Sequence, residues 1–428
     1  MHTYFKRFFV GMLLLVSLSS VVRGGAYQLY SESSAEGLSL AGSVIARDGM
    51  ISNAWYNPAG TTSIDRPSLM AGVSGLLLHI DYESDLGDDN LKNEVRPTGF
   101  FYAILPFEND LNLNLSVNAP YGMISEWDND WLEQYMATYT NLRCLYLTPS
   151  LAWEVNDQIS IAGGVNLVVA TARLAKNIDQ SALNAIDPSI PRTNKIYMSA
   201  DAIGVGFTLS AMYKPHEDWN LGVSYQSRVK LDFDGEAKYR YQGAYLGGAR
   251  GFYRDDASTE ITLPSSVGFG VANTTFEKWT LSFDAVWTEW STYADNNIKF
   301  DSFPGAGKPG TKGTAVKDKD WDDVWSFRFG ASYQLNENWV LRAGYMYDNS
   351  PDNDRHRSPE MPDSDRNMFA LGVGYSKDHW GFDFGYAYLI FKDSKAGSQA
   401  AGASENFKNS GEFEADLHVV SAAVKYMF

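Results

Sequence analysis

Leu111-Asn112-Leu113-Asn114-Leu115-Ser116-Val117-Asn118-Ala119 carries an apolar side chain at every odd position and a polar one at every even position. Successive side chains of a strand point to opposite faces, whereas a helix turning about 100° per residue would scatter these leucines around its circumference. The stretch is therefore read as a strand with one greasy and one polar face. The same period recurs downstream. Leu221, Val223, Tyr225, Val229, Leu231 and Phe233 alternate with Ser224, Gln226, Arg228, Lys230 and Asp232; Trp279, Leu281, Phe283, Ala285 and Trp287 alternate with Ser282 and Asp284. Trp325 to Tyr333 and Trp339 to Tyr347 repeat it, with Arg328 and Arg342 on the polar side.

Periodicity alone leaves two architectures open: a soluble sandwich whose polar face meets water, or a membrane barrel whose apolar face meets lipid. Counting alternating segments from 66–83 to 417–428 gives fourteen, the even number that single-chain bacterial barrels show. Tight connections such as 156–158 and 214–218 contrast with long ones such as 123–143, 175–196 and 291–322, the expected asymmetry of inner turns and external loops. Trp219, Trp279, Trp290, Trp325, Trp339 and Trp380 stand at strand ends, where interfacial girdles belong. The last strand exposes Val420, Ala422, Val424, Tyr426 and a C-terminal Phe428 on one side. No later segment holds the 18 or so uninterrupted apolar residues of a spanning helix. The expected fold is all-β, a 14-stranded antiparallel transmembrane barrel over residues 66–428.

At the start, Lys6 and Arg7 precede the apolar run Phe8 to Leu18, and small residues follow, the layout of a secretory signal over residues 1–24 cut after Gly24. The net charge of −17 argues against nucleic-acid binding, and the single cysteine, Cys144, offers neither an internal disulfide nor a CxxC metal site. Residues 25–65 lack alternation and carry many small residues, with Asn57-Pro58-Ala59 suited to start a short helix capped by Asn57. They are expected to fold as a plug of short helices inside the lumen; a disordered tail is the alternative.

Tyr27-Gln28-Leu29, Ser33-Ser34, Gly37-Leu38 and Asn57-Pro58-Ala59 resemble the hatch of FadL/TodX-type outer-membrane transporters of long-chain fatty acids and other hydrophobic compounds. Ala119-Pro120-Tyr121-Gly122 with Ser125-Glu126 is similar to that family's third strand, and Ser227 to Phe233, Leu263-Pro264, Asn338-Trp339, Ser350-Pro351 and Pro362 to Arg366 follow in family order. The resemblance implies passive transport across the outer membrane of a Gram-negative bacterium: capture by external loops, binding in the lumen and lateral release at a kinked third strand. Pro120 has no amide to donate and Gly122 tolerates irregular backbone, so Pro120, Tyr121 and Gly122 are the candidate lateral gate; an ordinary strand end entering a loop is the alternative. A diffusion channel for polar solutes and an outer-membrane hydrolase are the rival functions.

Trp127, Trp131, Tyr135 and Tyr139 at spacing four would line one face of a helix and, with Leu183 and Ile186 of the next long loop, could collect an apolar ligand or simply pack the loop on the rim. Arg228, Lys230, Arg328 and Arg342 face the lumen by parity, where they could meet a ligand carboxylate or pair with Asp232, Asp284 and Asp383. Arg173 falls on the lipid side by the same count. The six histidines show no metal-ligand spacing, and no nucleophile elbow or phosphate loop is present, so no catalytic residue, metal or cofactor is expected. The expected partners are a hydrophobic small molecule and outer-membrane lipid, with the chain acting as a monomer. A chain of this kind should leave the membrane fraction only with detergent; a mature polypeptide that stays monomeric in buffer alone would contradict the barrel.

Overall fold

The computed structural model describes residue 28 and residues 30–428 apart from 243–249, 294–296, 302–312, 316–317 and 401; the expected signal at 1–24 lies outside the described residues. The wall consists of β1 (Ser68–Ser84), β2 (Val95–Phe107), β3 (Leu111–Glu126), β4 (Tyr139–Asn156), β5 (Ile159–Asp179), β6 (Thr193–His216), β7 (Trp219–Gln226, resuming as Val229–Gln242), β8 (Arg250–Leu263, resuming as Ser266–Asn273), β9 (Trp279–Thr288), β10 (Val324–Gln334), β11 (Trp339–Asp348), β12 (Arg366–Lys377), β13 (Trp380–Phe391) and β14 (Glu412–Met427). Chain neighbours pair antiparallel, and β1 pairs β14 from Ser68↔Met427 to Glu83↔Glu412, which closes fourteen strands into a barrel. Closure leaves no sheet edge, the condition for strands to sit in hydrocarbon. Alternation then sorts the faces as expected: Leu151, Ile203, Val205, Phe329 and Leu371 are exposed on the outside, while Asn112, Asn114, Ser116 and Asn118 are buried within. A cation on the outer face would cost roughly 2–4 kcal/mol at the bilayer midplane, which is why these positions read Leu, Val and Phe.

Two details depart from simple alternation. Trp290, expected in the girdle, is buried on the inside against Tyr121 and Trp321, whereas Trp219, Trp279, Trp325, Trp339 and Trp380 are exposed at strand ends. In β7, residues 227–233 face residues 202–207 of β6, one residue more than the partner supplies, because the ladder passes from Thr208↔Gln226 to Asp201↔Asp234. An extra residue in a strand exchanges its two faces. Beyond the bulge Val229, Leu231 and Phe233 are fully buried, and Lys230 points outward to Asp232 (3.2 Å) and Glu260 (2.9 Å). The expectation that Arg228 and Lys230 face the lumen is therefore corrected: parity was carried across a bulge that reverses it.

Residues 30–64 run through the space enclosed by the wall, with a short 3-10 turn at Ser31–Ser33, helices α1 (Ala35–Ser39) and α2 (Asn53–Tyr56), and a second 3-10 turn at Pro58–Thr61. Ser34 caps α1 by accepting from the Gly37 amide at 2.8 Å. Helices this short cannot persist alone in water, so their order comes from the wall. The Val44 and Ile45 amides donate to Asp284 of β9 (2.7 and 2.9 Å), Arg47 donates to Ser282 and Ser332 (both 2.8 Å), and Asn112 donates to the Thr61 carbonyl (2.6 Å). Asn57 does not cap the turn that Pro58 opens; its Nδ2 donates instead to the Ile45 carbonyl at 2.7 Å, and the Ala59 amide donates to Ser210 at 3.0 Å. Gly344 and Gly372 let the segment approach: a Cβ at Gly344 would lie 2.3 Å from the Leu40 carbonyl carbon, and one at Gly372 would lie 1.9 Å from Ser39 Oγ. Gly344→Val should push the segment off the wall, lowering stability by about 1–3 kcal/mol and opening residues 40–60 to protease; wild-type resistance would contradict this close packing.

Candidate functional site

β3 is regular up to Val117; beyond it the strand loses its neighbour β2 while staying paired to β4 from Tyr121↔Cys144 to Glu126↔Tyr139. The β2–β3 ladder runs from Phe107↔Leu111 to Phe101↔Val117 and, among the described residues, goes no further. On the other side, the β3–β4 register shifts between Asn118↔Tyr146 and Tyr121↔Cys144, so Ala119 and Pro120 oppose the single residue Leu145. Every residue from Asn118 to Ser125 is buried, in contrast to the alternation of 111–117. A strand with lipid on one side would keep that face exposed; burial on both faces means that other parts of the chain cover this half on both sides. Pro120 supplies a cause of the lost pairing, since it cannot donate to a neighbouring strand. At the outer rim the gap is closed again, where the Lys92 amide donates to the Glu126 carbonyl at 2.8 Å and the Lys92 ammonium lies 3.2 Å from the Glu126 carboxylate.

The first residues of the N-terminal segment stand behind the gap. Gln28 forms an antiparallel bridge with Tyr121, Tyr102 of β2 donates to the Ser33 carbonyl at 2.5 Å, and Asn118 donates to Ser33 Oγ at 3.2 Å. One small cavity of about 20 Å³ lies between Tyr30, Trp55, Pro120, Tyr121 and Tyr146. A second, of about 50 Å³, lies toward the loops between Leu78, Met123, Ile124, Trp290, Trp321 and Met361, with Arg366 at its polar end. Gln28 lines both. Neither approaches the 300 Å³ or more that encloses a drug-sized ligand, so this conformation is closed.

The lumen cations are engaged rather than waiting. Arg342 bonds Asp383 and Glu36, each at 2.8 Å, and Lys425 lies 2.7 Å from Asp383 and 3.5 Å from Glu36. Two acids and two bases thus join α1 to β11, β13 and β14. Burial alone would push the Glu36 carboxyl up, but Arg342 and Lys425 beside it hold it below the usual carboxylate range. Arg328 lies 3.9 Å from the Tyr30 ring centroid and bonds Ser326 at 3.2 Å, leaving Nη1 without a hydrogen-bond partner among the described residues. Arg366, which parity reasoning did not single out, lies 2.6 Å from Asp348 and 3.5 Å from Asp363. Burial pushes the Asp363 carboxyl up against the pull of Arg366. Arg228 pairs with Glu289 at an exposed position outside.

The loop aromatics separate. Residues 127–138 form turns, so the helical stripe expected from spacing four is absent. Trp127 and Trp131 instead stack on each other at 4.3 Å inside a buried cluster with Tyr82, Phe407 and Phe413, and Trp127 Nε1 donates to the Pro359 carbonyl at 3.0 Å. Tyr135 is exposed, and Tyr139 accepts from Asn141 at 2.7 Å. Trp127 and Tyr139 line a groove of about 530 Å³ with Lys92, Arg173, Lys195 and Lys238, so its rim is charged rather than uniformly greasy. Leu183 and Ile186 are exposed on a separate short helix, Ser181–Ile186, and do not line it.

The chain as a whole, from sequence to fold, has known relatives. The family described as outer membrane protein transport protein (OMPP1/FadL/TodX) matches residues 15–428. The chain is 26% identical over 431 residues to a long-chain fatty acid transport protein of Escherichia coli, covering 92% of this chain and 93% of that one. Among solved structures, a Pseudomonas aeruginosa FadL homologue aligns with TM-score 0.79 at 22% identity, covering 94% and 99% of the two chains. The P. putida toluene transporter TodX aligns with TM-score 0.74 at 15% identity, covering 96% and 99%.

Arg342→Ala should leave Glu36 and Asp383 sharing one cation and cost about 3–5 kcal/mol, as breaking a buried pair does. Arg228→Ala, which breaks an exposed pair, should cost no more than about 1 kcal/mol. Unfolding midpoints in detergent check the contrast, and equal losses would overturn this placement of the two arginines.

Proposed function

Because the chain belongs to the OMPP1/FadL/TodX family of outer-membrane transport proteins, we propose that it carries hydrophobic small molecules, long-chain fatty acids or compounds of similar apolar character, across the outer membrane and releases them sideways into the bilayer at β3. The protein is an integral β-barrel of that membrane. The observation that carries the proposal is the burial of Asn118 to Ser125 beside an unpaired stretch of β2. In hydrocarbon each unpaired backbone group costs several kcal/mol, so such a gap persists only where something shields it. Here the shield is the segment around Gln28 and Ser33, which serves as the plug of the barrel.

An apolar molecule gathered at the external loops moves inward past Met123, Ile124, Trp290 and Trp321 because each step removes its surface from water. The two cavities share Gln28, so a shift of this part of the segment joins them and uncovers the gap between β2 and β3. The cargo then enters lipid, and dilution there favours net transfer without an energy source. Arg366, which lines the larger of these two cavities, is the cation best placed for a carboxylate, once its bonds to Asp348 and Asp363 rearrange. One chain suffices, with outer-membrane lipid as the receiving phase.

Two variants test the exit. Pro120→Val with Gly122→Thr should restore pairing and cut uptake of a labelled fatty acid about tenfold or more in a barrel that still folds. In Ser33→Cys/Asn118→Cys a disulfide should tie the segment to β3, abolishing uptake until reductant restores it. Wild-type uptake by both folded variants would count against lateral release, and large steady ion currents in planar bilayers would favour a channel for polar solutes.

A further inference from the structure

The histidines show no ligand spacing along the chain, but closure of the barrel brings two of them together. His79 on β1 and His418 on β14 flank Asp416, and the ligand atoms of all three lie within 4.8 Å of one another. His79 Nδ1 is 3.1 Å and His418 Nε2 is 3.4 Å from the same oxygen, Asp416 Oδ2. We propose that His79, Asp416 and His418 form a site for a zinc-class divalent metal ion on the outer surface of the barrel seam.

Three arguments support the site. First, ligands at about 2.0–2.1 Å from a tetrahedral ion stand roughly 3.3 Å apart, so these separations already match two edges of such a polyhedron. The donor set, two imidazoles and a carboxylate, is one that zinc takes with water as a fourth ligand. Second, Tyr386 of β13 lies 2.8 Å from His418 Nδ1. With Nδ1 protonated and donating to the phenol oxygen, Nε2 keeps its lone pair for an ion, the outer hydrogen bond that metal-bound histidines ordinarily have.

Third, the position suits an ion that arrives from water. His79 lies eleven residues beyond Ser68, which at ~3.3 Å per residue and a tilt of ~40° places it roughly 28 Å from the turn end, just past an apolar band of ~25 Å. All three side chains are only partly buried. Just beyond, Asp81 faces Glu414 and Glu83 faces Glu412 across the same seam. Like charges directly opposite are unfavourable in a sheet, and they raise the local concentration of cations. The consequence is mechanical: an ion here would clip the first strand to the last. Because it would bind the closed barrel and not the open chain, it would stabilise closure by mass action.

The test uses the full mature chain without an affinity tag, in detergent, stripped with chelator and titrated with Zn²⁺ by calorimetry. Wild type should bind one ion and unfold at a higher temperature in its presence. His79→Ala and His418→Ala should each weaken that binding at least 100-fold and lose the thermal shift, while Tyr386→Phe should weaken it about tenfold. His216→Ala, altering a separate cluster at a short turn, should change nothing. All four substitutions lie on exposed or partly exposed positions, and heat-modified gel mobility confirms folding. Zinc uptake that is absent from wild type, unchanged in both seam variants, or lost with His216→Ala would overturn the site.

Discussion

Hydrocarbon offers no hydrogen bonds, so a chain that crosses it as strands must pair every backbone amide and carbonyl within itself. Closure of β1 on β14 meets that demand around almost the whole circumference. The exception is the outer half of β3, where the ladder with β2 stops at Phe101↔Val117. What makes the exception tolerable is the segment inside, whose Gln28 and Ser33 take up groups that the wall leaves unmet. Wall and segment are in this sense one hydrogen-bonded unit, and neither is complete alone.

The segment is held unevenly. Toward β9 to β14 it is fixed by Asp284, by the Glu36–Arg342–Asp383–Lys425 network and by glycines that admit its backbone. Toward the outer half of β3 it makes, among the described residues, one backbone bridge at Gln28 and neutral hydrogen bonds through Ser33. Buried charge pairs cost several kcal/mol to break, whereas single neutral bonds contribute about 1 kcal/mol. Motion of the segment therefore falls on the β3 side, where the wall is already open, while the opposite side acts as its anchor.

Much of this was readable from the residue pattern. Fourteen strands followed from a two-residue period because lipid allows no other sorting of side chains, and Pro120 marked the place where that period fails. The cations were harder. Arg328 and Arg342 obeyed parity, whereas Arg228 and Lys230 did not, because a bulge at Ser227 leaves no signature in polarity: Val229 and Leu231 look equally suitable for lipid and for an apolar lumen. Trp127 and Trp131 followed a helical spacing but fold as turns, held by stacking on each other and on residues hundreds of positions away. Long-range partners such as Phe407, Phe413 and Pro359 cannot be seen in a local window. The same holds for His79 and His418, neighbours only because the barrel closes.

The bulge in β7 also shows how little sequence separates one kind of lumen from another. Were the strand to run regularly through Ser227 instead of bulging there, its pairing beyond that point would slip by one residue, turning Val229, Leu231 and Phe233 toward the bilayer and Arg228, Lys230 and Asp232 into the interior. Two pairings of the same residues, one register step apart, would thus line this stretch of inner wall with either greasy or charged side chains, so a barrel of this type can acquire a different cargo chemistry with little redesign of its strands.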